Sequence, residues 1–256
     1  MDINVSGPKI YFSIELPFMT IDITESALSL LVVTLGLIIA AFVLTRNITK
    51  RPSRSQVVVE KLVDMLYNVV SDTMGKHNLK FAPYIGTLFL MLLFGTLIGT
   101  TQLFRSTTAD LSVTVALAIV TTGMVWYNNI KNFGFKAWLK GFTEPIVVMT
   151  PMNIVSEIAT PVSLAFRQFG NVAGGSVLTA LIYGALASLS SLLFGWLPGF
   201  IGEIPFMQVG IPAFLSIYFD LFSGFVQAFV FILLTMVYVG AASPDPAELA
   251  KEKASE

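Results

Sequence analysis

The sequence predicts an all-α polytopic membrane protein: five membrane-inserted helices plus a cytoplasmic-surface amphipathic helix, the last two inserted helices long and strongly tilted. Three observations carry this prediction. Hydrophobic residues make up 55% of the 256 and charged residues 12%, against about 25% charged in a typical soluble domain. The mean hydropathy is +0.78. The apolar residues also fall in runs of about 20 or more, the length that crosses a hydrocarbon core of about 30 Å.

The chain reads as a single membrane domain, 1–256. Residues 1–25 are expected to form an external N-terminal segment; they carry Asp2, Glu15, Asp22 and Glu25 instead of the basic n-region of a secretory signal. Residues 26–45, SALSLLVVTLGLIIAAFVLT, are free of charge and lead directly into RNITKRPSR, a span with a basic exit. Residues 51–75 are expected to form the amphipathic surface helix. Val59, Leu62, Val63, Leu66, Val69 and Val70 recur there every three or four residues, with Glu60, Lys61, Asp64 and Ser71 elsewhere. Residues 83–104 and 111–130 are two further spans joined by RSTTAD, followed by the basic loop KNFGFKAWLK. The long apolar runs 146–194 and 207–242 flank a Gly/Pro-rich link, and 243–256 form a charged cytoplasmic tail.

Lysine and arginine fix the expected orientation. With the N-terminus outside, Arg46, Lys50, Arg51, Arg54, Lys61, Lys76, Lys80, Lys131, Lys136, Lys140, Lys251 and Lys253 lie inside, and only Lys9 and Arg105 lie outside. That bias predicts five membrane-inserted helices with the N-terminus outside and the C-terminus cytoplasmic. Trp126, Tyr127, Trp138 and Trp196 fall near the expected interfaces, as belt anchors do.

The run from Ile146 to Phe194 contains two formally charged residues, Glu157 and Arg167. As a helix it would be about 74 Å long, so it cannot stand upright in one bilayer, and a strongly tilted helix resting on a neighbour is expected. Ser163, Gly170, Gly174 and Gly175 would admit a close approach. An arginine at mid-membrane costs roughly 2.5 to 3.5 kcal/mol even on lenient insertion scales, which marks Arg167 as functional. At 100° per residue, Thr160, Ser163, Arg167, Asn171 and Gly174 share one narrow face. On the last helix, Asp220, Ser223, Gly224, Gln227 and Phe231 form a similar stripe. If the two helices run antiparallel with Gln227 level with Arg167, then Asp220 and Ser176 lie about 10 to 14 Å towards the outside, and Glu157 a similar distance towards the cytoplasm. The pattern is an ion path broken at a fixed charge. Asp220, Gln227 and Asn171 also suit interhelical hydrogen bonds, Glu157 suits the headgroup zone, and Arg167 suits a charge paired within a bundle.

PVSLAFRQFGN, VQAFVFILLTMVYVGAA and the order of spans resemble subunit a of the membrane (Fo) sector of bacterial F-type ATP synthases over essentially the whole chain. The resemblance implies an ion-translocating stator subunit with two offset half-channels against a ring of hairpin c subunits, held by peripheral-stalk b subunits within the F1Fo complex. It implies that the arginine at Arg167 separates the half-channels, and that Asp220, Gln227, Asn171, Ser176, Glu157 and Ser163 line the ion path. Two positions depart from the common pattern: Ser176 stands where the family often has glutamate, or histidine in mitochondrial forms, and Asp220 stands where many relatives have histidine or glutamate. Asp220 then serves the outer half-channel from the opposite helix, with H+ or Na+ as coupling ion.

Other classes are weighed on the same residues. A secondary transporter holding an anionic solute at Arg167 is the main alternative, but that class shows internal repeats and SLAFRQFGN has no second copy. In a simple cation channel, a fixed cation in the path would oppose flow. The net charge of −1 gives no footprint for nucleic acid. There is no cysteine, and the single histidine, His77, reads as solvated. No metal, no cofactor and no catalytic chemistry within this chain are therefore expected; ATP chemistry would reside in other chains.

Overall fold

The computed structural model describes residues 10–16, 19–46, 48–49, 52–101, 104–144, 146–194 and 217–246. A β-hairpin pairs β1 (Ile10–Leu16) with β2 (Met19–Thr24) antiparallel, a feature not foreseen in the N-terminal segment. Its signal is the alternation in IYFSIEL and MTIDIT on either side of a two-residue link. The helices are α1 (Glu25–Thr45), α2 (Arg54–Met74), α3 (Ala82–Leu97), α4 (Leu111–Phe133), α5 (Phe135–Gly141), α6 (Thr150–Phe194) and α7 (Gly224–Ala241). Among the described residues, five helical segments are long and apolar enough to cross a membrane, and the chain is a multi-pass membrane protein.

Local chemistry sets the helix ends. Thr24, Ser53 and Asp110 cap α1, α2 and α4 by accepting from Ala27, Gln56 and Ser112 backbone N–H groups. Gly75 and Gly134 follow α2 and α4 at φ of 83° and 87°, where a Cβ would be strained. The α2 bounds differ by a few residues from 51–75, because Ser53 starts the helix and Gly75 stops it. The 83–104 span begins one residue earlier and tightens into a 3-10 turn at Ile98–Thr101.

Both ends of the bundle are tied by polar groups that would otherwise lie unpaired in lipid. At one end, Ser29 Oγ donates to the Arg105 carbonyl at 2.9 Å and the Arg105 N–H donates to Glu25 Oε1 at 3.2 Å. Ser106 Oγ donates to the Gly95 carbonyl at 3.1 Å, and the Thr96 and Thr108 hydroxyls are 3.1 Å apart. These bonds join the start of α1, the end of α3 and the start of α4. At the other end, Asn132 Nδ2 donates to the Ala242 carbonyl at 2.9 Å. The Ser243 carbonyl accepts from Asn78 Nδ2 at 2.8 Å and lies 2.8 Å from His77 Nε2. His77 Nδ1 is 4.0 Å from Asp245 Oδ2. His77, expected to be solvated, is exposed and at the same time ties the segment after α2 to the end of α7. No local cue marks this tie, because the partner is a backbone carbonyl far along the chain.

Between these ends, Val70, Ile85, Leu88, Leu92, Ala118, Leu164, Ala165, Ala228, Phe231, Ile232, Met236 and Val239 form the buried core. From α2, Leu66 and Val69 pack on it, whereas Leu62 is 59% exposed. The outer faces are apolar too: Leu35, Ile38, Ile39 and Phe42 of α1 are half or more exposed, as lipid-facing positions should be. Close helix contact depends on glycine at two places. A Cβ on Gly224 would meet Thr96 Cγ2 at 2.8 Å, and one on Gly95 would collide with Thr107 Oγ1.

Gly95→Ala is expected to destabilise the chain by about 1–3 kcal/mol through overpacking, read as a lower midpoint of denaturation in detergent. Gly36→Ala, with no neighbour within 4 Å, is the control and should leave the midpoint unchanged or slightly raised by helix propensity.

Candidate functional site

The site lies on α6, one continuous helix of 45 residues, about 67 Å long at 1.5 Å per residue. Pro161 sits inside it and removes the N–H that would bond the Glu157 carbonyl. Leu164, Ala165 and Gln168 point into the bundle at 2%, 1% and 0% exposure. Arg167, one residue before Gln168 and so about 100° around the helix, is exposed, as are Ser163, Phe166 and Gly170. Among the described residues, neither ion pair involves Arg167, and no side-chain hydrogen bond reaches it. Its exposed neighbours on the same face are Ser163 and Gly170, with Phe166, 53% exposed, about 100° around the helix.

Two contacts set the helix register. Ser223 Oγ donates to Asn171 Oδ1 at 2.6 Å, joining the segment before α7 to α6. Trp126 Nε1 donates to Glu157 Oε1, joining α4 to α6. Both α4 and α7 end where Asn132 meets Ala242, so α6 runs antiparallel to each. Counting four residues from Ser223 and back from Asn171 brings Gln227 level with Arg167. The same count sets Asp220 level with Gly174, about 10 Å along the axis from Arg167. Glu157 lies about 15 Å from Arg167 in the opposite direction.

The sequence-predicted residues divide accordingly. Asn171 bonds across to Ser223. Gln227 is partly buried on α7, and Ser163 is exposed beside Arg167. Ser176 is exposed and returns its hydroxyl to the Ala173 carbonyl at 2.8 Å. Asp220 falls in a π-helical turn, Ile217–Ser223, a local widening frequent at functional sites; its side chain lies outside what the structure describes, as do residues 207–216 of the expected last helix. Trp126, expected as a belt anchor, is the hydrogen-bond donor to Glu157. Gly170 and Gly174 have no heavy atom of the described chain within 4 Å of an added Cβ, so the close approach expected there has no intrachain neighbour. No group of three His, Asp or Glu side chains among the described residues is spaced for a metal ion.

One residue was missed in the sequence. Gln168 is fully buried, and neither its Nε2 nor its Oε1 has a protein partner; Asn171 Nδ2 and Gln227 Nε2 are also buried without one. These four atoms lie within about a turn of Arg167 along the axis. The available signal was an amide adjacent to the arginine within a 49-residue apolar run.

The comparisons bear on this arrangement directly. The family model described as ATP synthase A chain matches residues 27–240. Curated relatives include "ATP synthase subunit a, sodium ion specific" of Propionigenium modestum, 32% identical over 94% of this chain and 86% of that protein. "ATP synthase subunit a 1" of Crocosphaera subtropica is 34% identical over 82% of each chain, and "ATP synthase subunit a" of Bacillus subtilis is 32% identical over 90% of this chain and 95% of its own. With most of its length matched, the chain belongs to the ATP synthase A chain family, the ion-translocating stator subunits in the membrane sector of rotary ATP synthases.

Proposed function

We propose that Arg167 is the separator between two offset aqueous half-channels and faces the carboxylate of a ring of hairpin c subunits. The observation that carries this reading is an exposed arginine, unpaired within the described chain, on a face where the next two glycines, Gly170 and Gly174, leave open space. A guanidinium cannot be neutralised at working pH, so it draws a deprotonated rotor carboxylate without giving up its proton. A carboxylate turning from Arg167 towards lipid must take up an ion to avoid the cost of desolvation. Rotation follows from that difference, and each charge crossing 100 mV supplies about 2.3 kcal/mol.

The outer half-channel runs past Asp220 and Ser176 to the amides of Asn171, Gln168 and Gln227, where internal water would pair the free amide atoms. The inner one runs from Ser163 past Glu157, held by Trp126. α6 lies strongly tilted across the membrane. Twelve of the 15 lysines and arginines fall on the side assigned to the cytoplasm, which supports N-terminus outside and C-terminus inside in a bacterial plasma membrane. Peripheral-stalk b subunits hold the chain against rotation. The coupling ion is H+ or Na+; the Propionigenium relative carries the sodium-specific name. Family membership disfavours the alternative of an anion transporter built around Arg167.

Three outcomes test this reading. Arg167→Ala in the assembled complex abolishes ATP-driven ion uptake in inverted vesicles while ATP hydrolysis persists; normal uptake would remove Arg167 from the mechanism. Gly170→Leu leaves the isolated chain's denaturation midpoint unchanged but lowers coupled uptake at least tenfold, because the added side chain occupies the face reserved for the ring. Asp220→Asn impairs uptake strongly, since it removes the one acid of the outer path. The double variant Asp220→Asn with Ser176→Glu recovers more than the single one, and no gain would mean that the two positions do not share a channel.

A further inference from the structure

A second feature lies away from Arg167, at the bundle end where α3 begins and α4 finishes. A cleft of about 540 Å³ opens there, with Lys80, Phe81, Val120, Gly123, Tyr127 and Lys131 among its lining. Its chemistry is divided. Lys80 Nζ sits 5.0 Å above the Phe81 ring and Lys131 Nζ 5.8 Å above the Tyr127 ring, so both ammonium groups are drawn to the mouth of the cleft. No acidic side chain lines it, and neither lysine belongs to an ion pair among the described residues. The floor is apolar: Gly123 has nothing within 4 Å of an added Cβ, leaving a trough along α4 beside Val120. The cleft opens sideways, since Val120 and Tyr127 are 52% and 65% exposed.

We propose that this cleft is a binding site for one anionic glycerophospholipid of the leaflet on the α2 side. Its phosphate lies between Lys80 and Lys131, and an acyl chain lies in the trough at Gly123. Two cations above an apolar trough at a helix end match both halves of such a molecule. An apolar transmembrane helix of another subunit would fill the trough but would leave two unpaired ammonium groups beside it, which favours lipid as the occupant. A bound lipid would also join α3 to α4 at the end where Asn132 holds the end of α7. The site uses none of the residues placed in the ion path.

The test uses the assembled complex in nanodiscs of equal phosphatidylglycerol and phosphatidylcholine, then detergent extraction and native mass spectrometry of retained lipid. Wild type should retain phosphatidylglycerol preferentially. Lys80→Gln or Lys131→Gln should lower that preference about 5-fold, and the double change about 30-fold. Lys136→Gln with Lys140→Gln, an equal charge loss outside the cleft, should leave it unchanged. Gly123→Leu, which keeps both charges, should lower retention of lipid by blocking the trough. Undiminished preference in the double variant, equal loss in the control, or unchanged retention in Gly123→Leu would each overturn the site. A photoreactive side chain at Val120 that captures another subunit instead of lipid would overturn it as well.

Discussion

Within a bilayer, a polar or charged group without a partner has no water to fall back on, and the rest of this structure can be read from how that constraint is met. At the two ends of the bundle it is met inside the chain: Ser29, Ser106, Asn78 and Asn132 each bond a backbone carbonyl of another segment. These bonds contribute about 1 kcal/mol each, and their larger effect is to fix which helix ends meet. Around Arg167 the constraint is not met within the described chain. A guanidinium and four amide atoms at about the same level of the bundle have no partner among the described residues; in the proposed reading a partner from outside and internal water complete them.

The relative height of these groups rests on two contacts. Asn171 with Ser223 fixes α6 against α7, and Trp126 with Glu157 fixes α6 against α4. Because a helix rises a constant distance per residue, these two contacts are enough to place every polar group on α6 relative to its neighbours. Asp220 and Glu157 then fall on opposite sides of the Arg167 level. An ion path with one acid on each side cannot pass the cation between them directly; the ion must leave the chain and return to it. If Asp220 and Glu157 are the two acids of the ion path, as proposed, transport calls for a moving partner, and a fixed pore would not serve.

The spans, the long uninterrupted helix and the Arg167 stripe were legible in the sequence because they depend on composition and on helical spacing, both local properties. Three features were not, and each depends on a distant partner. His77 looks like a loop residue until Ser243 is brought beside it. Trp126 looks like an interfacial anchor until Glu157 is seen to accept from it. Gln168 hid beside a more conspicuous neighbour, since a single amide in an apolar run does not reveal which way it faces. The hairpin Ile10–Leu16 with Met19–Thr24 is a different case: its alternation was visible, but short segments before a membrane span compete poorly for notice with the spans themselves.

The glycines separate the chain's own contacts from those it leaves open. Gly95 and Gly224 are small because another side chain of this protein, Thr107 or Thr96, occupies the space a Cβ would take. Gly170 and Gly174 are equally small, yet nothing in the described chain lies near them. Helix propensity alone argues against glycine at such positions by up to about 1 kcal/mol relative to alanine. Two open glycines within two turns of an exposed arginine thus incur a cost that the isolated chain does not recover. In the proposed assembly that cost is offset by a surface that approaches α6 more closely than a Cβ would allow and that brings an anion to meet Arg167.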